Sequence, residues 1–333
     1  MYKKIAKSIT AITVLISSTL TSANSTLLDC NQPIGDVVKE VCAVKEIRSL
    51  VEAMDITLKQ AANYLSEDGY LLLENDQTKW KNYVHESCFG VTIPEGKDVE
   101  ACLASSIERR IKTLSRHKDG DTIYPTIYRG FYSVIPSSAE IDWIDNAITV
   151  ITHPQVDLSA LAGDALIHAA KIDAWLDQEE TVFQVESHLD RELEIILSQP
   201  LNDVLTLTFK EESYGHGAAH GITNLRFSHF DAERLRQITA DDIFSRNDWT
   251  FLISNLAYNY LRVQLGEDLW ITNQQDMIDL IVDTNRWHIE KQRLVLHFNP
   301  YEVAAFAYGL RKVPIRWEEI NNLLTQSWKY RLD

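Results

Sequence analysis

Cysteine is scarce in this chain and confined to one part of it. The 333 residues hold four, Cys30, Cys42, Cys88 and Cys102, all in the first third. None stands in the paired CxxC spacing of a zinc ribbon, so metal binding by these thiols is not expected. Catalytic signatures are missing as well. There is no GxSxG, no HExxH, no phosphate loop and no GxGxxG, which removes the usual marks of serine hydrolases, zinc peptidases and nucleotide enzymes. Carboxylates are plentiful, yet no spacing selects two of them for glycosidase work. Positive charge is in deficit: 32 Lys and Arg face 48 Asp and Glu, a formal net of −16. Such a surface repels nucleic acid and anionic lipid and speeds encounter with a basic partner. Long apolar runs are absent too, since the longest, at 11–20, is shorter than the ~20 residues a span requires.

That short run belongs to an address signal. Lys3, Lys4 and Lys7 precede it and Thr21-Ser22-Ala23 follows, the pattern of a secretory signal peptide over 1–23 cleaved after Ala23. Losing its three lysines takes the net charge from −16 to −19. No membrane span remains after cleavage. The acidity then sits mainly in residues 119–333, with 33 acids against 17 bases. An even cysteine count in an exported protein implies two disulfides; three pairings are open, and the short local loops Cys30–Cys42 and Cys88–Cys102 are favoured.

Apolar residues recur at helical spacing over 37–73, with a break expected near Cys42, and further helices are expected at 75–86 and 99–114. Residues 24–115 thus read as a small disulfide-linked helical module. A charged, glycine-containing linker and the first strands occupy 116–149, with strands at 123–133 and 148–151, the second ended by Pro154. From 150 to 333 the pattern mixes a helix at 158–177, strands at 181–187 and 193–197, and a helix at 247–264 with Trp249, Leu252, Ile253, Leu256, Tyr260 and Leu261 on one side. Thr239 and Thr272 are read as N-caps, the latter of a helix to Val282. Strand character returns at 289–298 and 313–315 before a terminal helix from Glu318. This is an α+β domain with a mainly antiparallel sheet.

The densest chemistry lies at 205–230. Leu205, Leu207 and Phe209 alternate with polar residues, as do Leu225 and Phe227, so two strands flank the loop YGHGAAHG carrying Tyr214, His216 and His220. The four-residue histidine spacing suits metal ligation on a helix, but three glycines in eight residues argue against a helix there. No metal or other cofactor is expected. The two histidines instead bond loop backbone, stack on Tyr214, or form a partner-contact surface. The turn Asn299-Pro300-Tyr301-Glu302 is read as structural, with Tyr301 packed beneath it, and Tyr301 and Glu302 are candidate contact residues. Trp80, Trp249 and Trp287 are assigned to the core.

Two resemblances add to this reading. Cys30 with Cys42, Leu50, Met54-Asp55, Leu58 and Tyr64, then Gln77, Trp80, Cys88, Cys102-Leu103, Arg110 and Leu114, resemble the LprI-like lysozyme-inhibitor family over about 28–115. Val84 stands where that family has arginine, and Ile107 where it has an aromatic. His153-Pro154, the loop 214–221, residues 235–244, and the run from His297 to Gly309 with Val313-Pro314-Ile315 resemble the extracellular domain of RsiV-type anti-sigma factors over roughly 150–325. His216 and Ala218 depart from its paired loop glycines. The first family is associated with binding c-type lysozyme, and the second domain binds lysozyme as a ligand. The resemblances therefore imply a non-enzymatic envelope protein whose partner is a c-type lysozyme or related muramidase. No cytoplasmic segment precedes the apolar run, so no sigma-factor role is expected. The competing expectations are a peptidoglycan-acting or metal-dependent envelope enzyme and a non-catalytic binder of cell-wall glycan. Oligomeric state has no signature in the sequence.

Overall fold

The computed structural model describes residues 30, 39, 42–89, 98–116, 124–135, 147–179 and 189–332. The signal peptide expected at 1–23, most of the charged linker and the strand expected at 181–187 lie outside them. The fold is α+β, with a mainly antiparallel six-stranded sheet and a separate three-stranded one. No helix among the described residues is long and apolar enough to cross a membrane.

Among the described residues, 39, 42 and 43 are helical, and three full helices follow: α1 (Lys45–Ala62), α2 (Glu67–Phe89) and α3 (Val99–Ser115). The break expected near Cys42 forms as a bend at Val44, where the backbone is extended, and a second break, not expected, falls at residues 63–66. Its cause is a distant residue. The Asp157 carboxylate accepts from the Ser66 backbone N–H at 2.6 Å and from the Ser66 hydroxyl at 2.7 Å. The same hydroxyl accepts from Gly69 N–H at 3.0 Å, so Ser66 starts α2 as its N-cap. A side chain at Gly69 would put Cβ 2.3 Å from that carboxylate, which explains the glycine inside the first turn.

Both favoured disulfides form, Cys30–Cys42 and Cys88–Cys102, closing separations of 12 and 14 residues. The second ties the end of α2 to the start of α3. Replacing both Cys88 and Cys102 by alanine is expected to cost about 3 kcal/mol of stability, measured as a lower urea midpoint, because the open chain gains loop entropy. Val84 and Ile107, the two departures from the family pattern, are fully buried in the core these helices share with Tyr132, Val134, Ile148 and Val150 of the sheet.

The large sheet runs in sequence order: β1 (Thr126–Ile135), β2 (Ala147–Val156), β3 (Leu189–Leu201), β4 (Val204–Gly215), β5 (Ile222–Asp231) and β6 (Arg236–Gln237). Only β2 and β3 are parallel, joined through helix α4 (Gly163–Glu179). Pro154 does not end β2, which continues to Val156 opposite β1. The β2–β3 pairing stops at Thr152, and Val156 N–H, pointing the same way as the Pro154 nitrogen, bonds Asp173 at 2.8 Å. Proline therefore sits where no ladder donor is needed.

Alternation in β4 holds on the α4 side, where Leu205, Leu207 and Phe209 pack with Ile172 and Trp175. Thr206, on the opposite face, is buried as well. That face is covered by a second core built from α5 (Ala240–Ile243), α6 (Trp249–Leu265), α7 (Gln274–Ile281), the small sheet β7 (Trp287–Ile289), β8 (Arg293–Phe298) and β9 (Arg311–Arg316), and α8 (Gln326–Leu332). Thr239 caps α5 as read from the sequence, and the structure adds a reciprocal capping box with Asp242.

Three other expectations are corrected. Asn273, not Thr272, caps α7, its side chain accepting from Asp276 N–H. On α6 the buried line is Ile253, Ala257, Leu261 and Leu265, while Leu256 and Tyr260 face outward, because the covering elements reach only one side of the helix. The terminal helix opens as the 3-10 segment Trp317–Leu323, kinked at Ile320, and becomes α-helical only from Gln326. Trp80 and Trp287 are core residues, whereas Trp249 is half-buried against Phe244.

Candidate functional site

The β4–β5 hairpin keeps its register to the pair Ser213 and Ile222, leaving 214–221 as the tip. Ala218 N–H bonds Gly215 carbonyl at 2.8 Å, the Tyr214 hydroxyl donates to Ala218 carbonyl at 3.2 Å, and Gly217 has φ +86. That φ is one a side chain rarely adopts, hence glycine. Residues 217–221 are exposed.

The two histidines part company. His216 turns inward: its side chain is 6% exposed and Nε2 lies 3.0 Å from Asp190 Oδ1 at the start of β3. It is therefore unavailable at the tip, contrary to its selection as a contact residue. His220 faces out. Its ring stacks on Phe306 with centroids 3.6 Å apart, and Nδ1 lies 3.1 Å from Gly221 carbonyl, which makes Nδ1 the protonated nitrogen. The expected stack on Tyr214 is replaced by this one for His220, while His216 lies tilted, 6.2 Å from the Tyr214 ring.

Phe306 links the tip to the second predicted region. Asn299 reaches the free edge of β5, accepting from Leu225 N–H at 2.8 Å and donating to Leu225 carbonyl at 3.2 Å, so one amide side chain mimics a neighbouring strand. Glu302 closes the turn: its carboxylate accepts from Asn299 N–H at 2.6 Å and pairs with Arg286. Glu302 thus builds the turn instead of standing free for a partner. Tyr301 does not pack beneath. It has φ +70 and is 50% exposed. A bulky residue in that region is held there at a cost of order 1–3 kcal/mol, and such outliers gather at functional sites.

Four rings therefore form one ledge. His220 stacks on Phe306, Phe306 lies 5.6 Å from Tyr301, and Tyr301 stacks at 6.5 Å on Trp270, itself 50% exposed. Trp270 is fixed to the turn by its N–H bonding Val303 carbonyl at 2.9 Å. Tyr308 beside it donates to Asp268, a bond that pushes the phenol above its ordinary pKa. Sequence reasoning selected Tyr301 and His220 but missed Trp270 and Phe306. Trp270 follows Glu267 and Asp268 in a polar turn, where a lone large aromatic is itself a signal.

Among the described residues one group of three possible metal ligands occurs, Asp203, Asp231 and Glu233, and it includes neither histidine. Its geometry suits a structural ion pair. Arg331 of α8 lies 3.0 Å from Asp203 and 2.6 Å from Asp231, while Asp231 also accepts from Glu233 and Arg234 N–H.

Residues 241–318 match a family described as "Protein of unknown function (DUF3298)". No curated protein matches the chain. A crystal structure of a member of that family from Bacteroides fragilis is similar at 14% identity and TM-score 0.42, covering 63% of this chain and 98% of that one. A DUF3298 family protein from Pseudomonas aeruginosa is similar at 12% identity and TM-score 0.42, covering 62% and 97%.

Proposed function

We propose that the chain is an exported, non-catalytic binding protein of the bacterial envelope that grips a cationic muramidase of the c-type lysozyme kind. The observation that carries this reading is the ledge: the hairpin tip and the 299–302 turn, far apart in sequence, converge on one exposed aromatic surface. Exposed aromatic anchors on rigid strands and turns are what protein interfaces are built around. The net charge of −16 supplies the long-range attraction to a basic enzyme. The LprI-like and RsiV-type resemblances, both tied to lysozyme, support the same partner.

Titration against a c-type lysozyme tests it, with lysis of cell walls followed by turbidity. Tyr301→Ala and Phe306→Ala are each expected to weaken binding roughly ten- to a hundredfold. Ile167→Ala, on the exposed face of α4, is expected to leave it unchanged. Raising salt is expected to slow association more than it speeds release. No binding at low or high salt rejects the proposal. The stacked pair Trp270 and Tyr301 also favours a second reading, contact with the flat face of a sugar, which sedimentation with insoluble cell-wall sacculi separates from the first.

A further inference from the structure

A second site, independent of the ledge, lies where the helical module meets the sheet. The module docks its apolar side on β1 and β2, but toward β3 it meets the sheet through charges: Arg109 lies 2.6 Å from Glu192 and Arg116 2.6 Å from Glu194. Long side chains hold the two surfaces apart. A chamber of about 310 Å³ remains between them, walled by Trp80, Tyr83 and Tyr132 on its aromatic side. It shares Tyr83, Arg109 and Glu192 with an adjoining cleft of about 540 Å³ that runs to Tyr214 and Gly221 at the base of the hairpin.

Arg110 lines the chamber and is 3% exposed. Its guanidinium is fixed on one side: Nε donates to Gln77 at 2.7 Å, and Nη1 donates to Asp76 at 2.7 Å and to the Tyr132 hydroxyl at 3.2 Å. Nη2 has no hydrogen-bond partner. A buried guanidinium leaves donors unmatched only at a cost, and the group that fits its planar fork is a carboxylate. Asp76 already balances the Arg110 charge, so an incoming anion needs further positive charge. The mouth supplies it cheaply: Arg109–Glu192 and Lys210–Glu212 are partly exposed pairs that can exchange partners.

We propose that this cleft binds a short peptide ending in a free carboxylate, with Arg110 Nη2 as its anchor. The carboxylate enters the aromatic chamber, and the backbone runs out past Tyr83, where Ser105, Thr152 and Glu212 offer partners for amide groups. Two adjoining hollows, the first lined by Arg110 and the second by Tyr214 and Gly221 of the hairpin, give room for a chain terminus and not only for a compact anion.

The test uses the full chain and one probe in two forms, N-acetyl trialanine with a free carboxylate and the same peptide as its amide, by titration calorimetry. The acid is expected to bind and the amide to bind roughly tenfold or more weakly, the loss of one charge-assisted bond. Thr152→Trp, which fills the chamber from the sheet side, is expected to abolish binding with melting temperature retained. Arg110→Lys keeps the charge toward Asp76 but loses the fork, and is expected to match the amide penalty. Equal binding of acid and amide, no heat with either at millimolar peptide, or undiminished binding to the Thr152→Trp variant overturns the proposal. Lysozyme binding measured on the same Thr152→Trp protein is expected to be unchanged, which keeps this site's failure distinct from that of the ledge.

Discussion

Asp76→Ala is expected to lower stability by about 3–5 kcal/mol, because it breaks a buried ion pair from one side. Asp76 is 3% exposed and does three things at once. It accepts from Arg110 at 2.7 Å, from the Gly130 backbone N–H at 2.7 Å, and from the Tyr132 hydroxyl at 3.5 Å, joining α2 to α3 and to β1. Alanine would leave the Arg110 charge buried beside Trp80 with no counter-ion and the strand N–H without an acceptor. The cost comes from the orphaned partner, not from the ion pair as such. The double replacement Asp76→Leu with Arg110→Met is therefore expected to recover a good part of the loss. Urea unfolding combined with amide hydrogen exchange in α2 measures both. A double variant no better than Asp76→Ala would show that shape, and not the uncompensated charge, dominates.

The second large effect is acid lability of the C-terminal core. His229 is buried between the two sheets, Nε2 2.7 Å from Trp287 carbonyl and Nδ1 2.9 Å from the Thr206 hydroxyl. The carbonyl can only accept, so Nε2 carries the proton and Nδ1 accepts from Thr206. Burial lowers the His229 pKa from 6.5 to about 4. Burial likewise lowers His297 to about 3 and shifts His288 downward, and both rings pack against Phe227. In the unfolded chain these imidazoles take up protons near pH 6.5, whereas the folded protein refuses them until far lower. The stabilisation is full above pH 6.5 and is lost as pH falls toward 4. For His229 alone that amounts to about 3 kcal/mol. The urea midpoint is expected to drop through this window, before most carboxylates titrate. His229→Gln, which keeps polar atoms but binds no proton, is expected to flatten the slope there, and an unchanged slope would assign the lability elsewhere.

Local signals in the sequence carried well. The Thr239 cap, the two short disulfide loops and the β4–β5 hairpin depend on residues close to each other in the chain, and each formed as read. What escaped was set by distant partners. The break before α2 follows from Asp157, 91 residues downstream. Pro154 fits inside a strand only because β3 pairing has already ended. His216 and His220 look equivalent as a spacing, yet Asp190 draws one inward and Phe306 the other outward. Arg110 was visible only as a family-matching residue; nothing nearby in the sequence announces that it and Asp76 form the buried joint of the module.

The Ser66–Asp157 contact also bears on how the molecule is made. A ribosome adding roughly 5–20 residues per second delivers Asp157 some 5–20 s after Ser66. Until then the turn between α1 and α2 lacks the carboxylate that defines it, and the first three helices emerge as an unfinished bundle. For the export proposed above that delay is an advantage, since a segment that cannot lock early stays loose enough to be threaded.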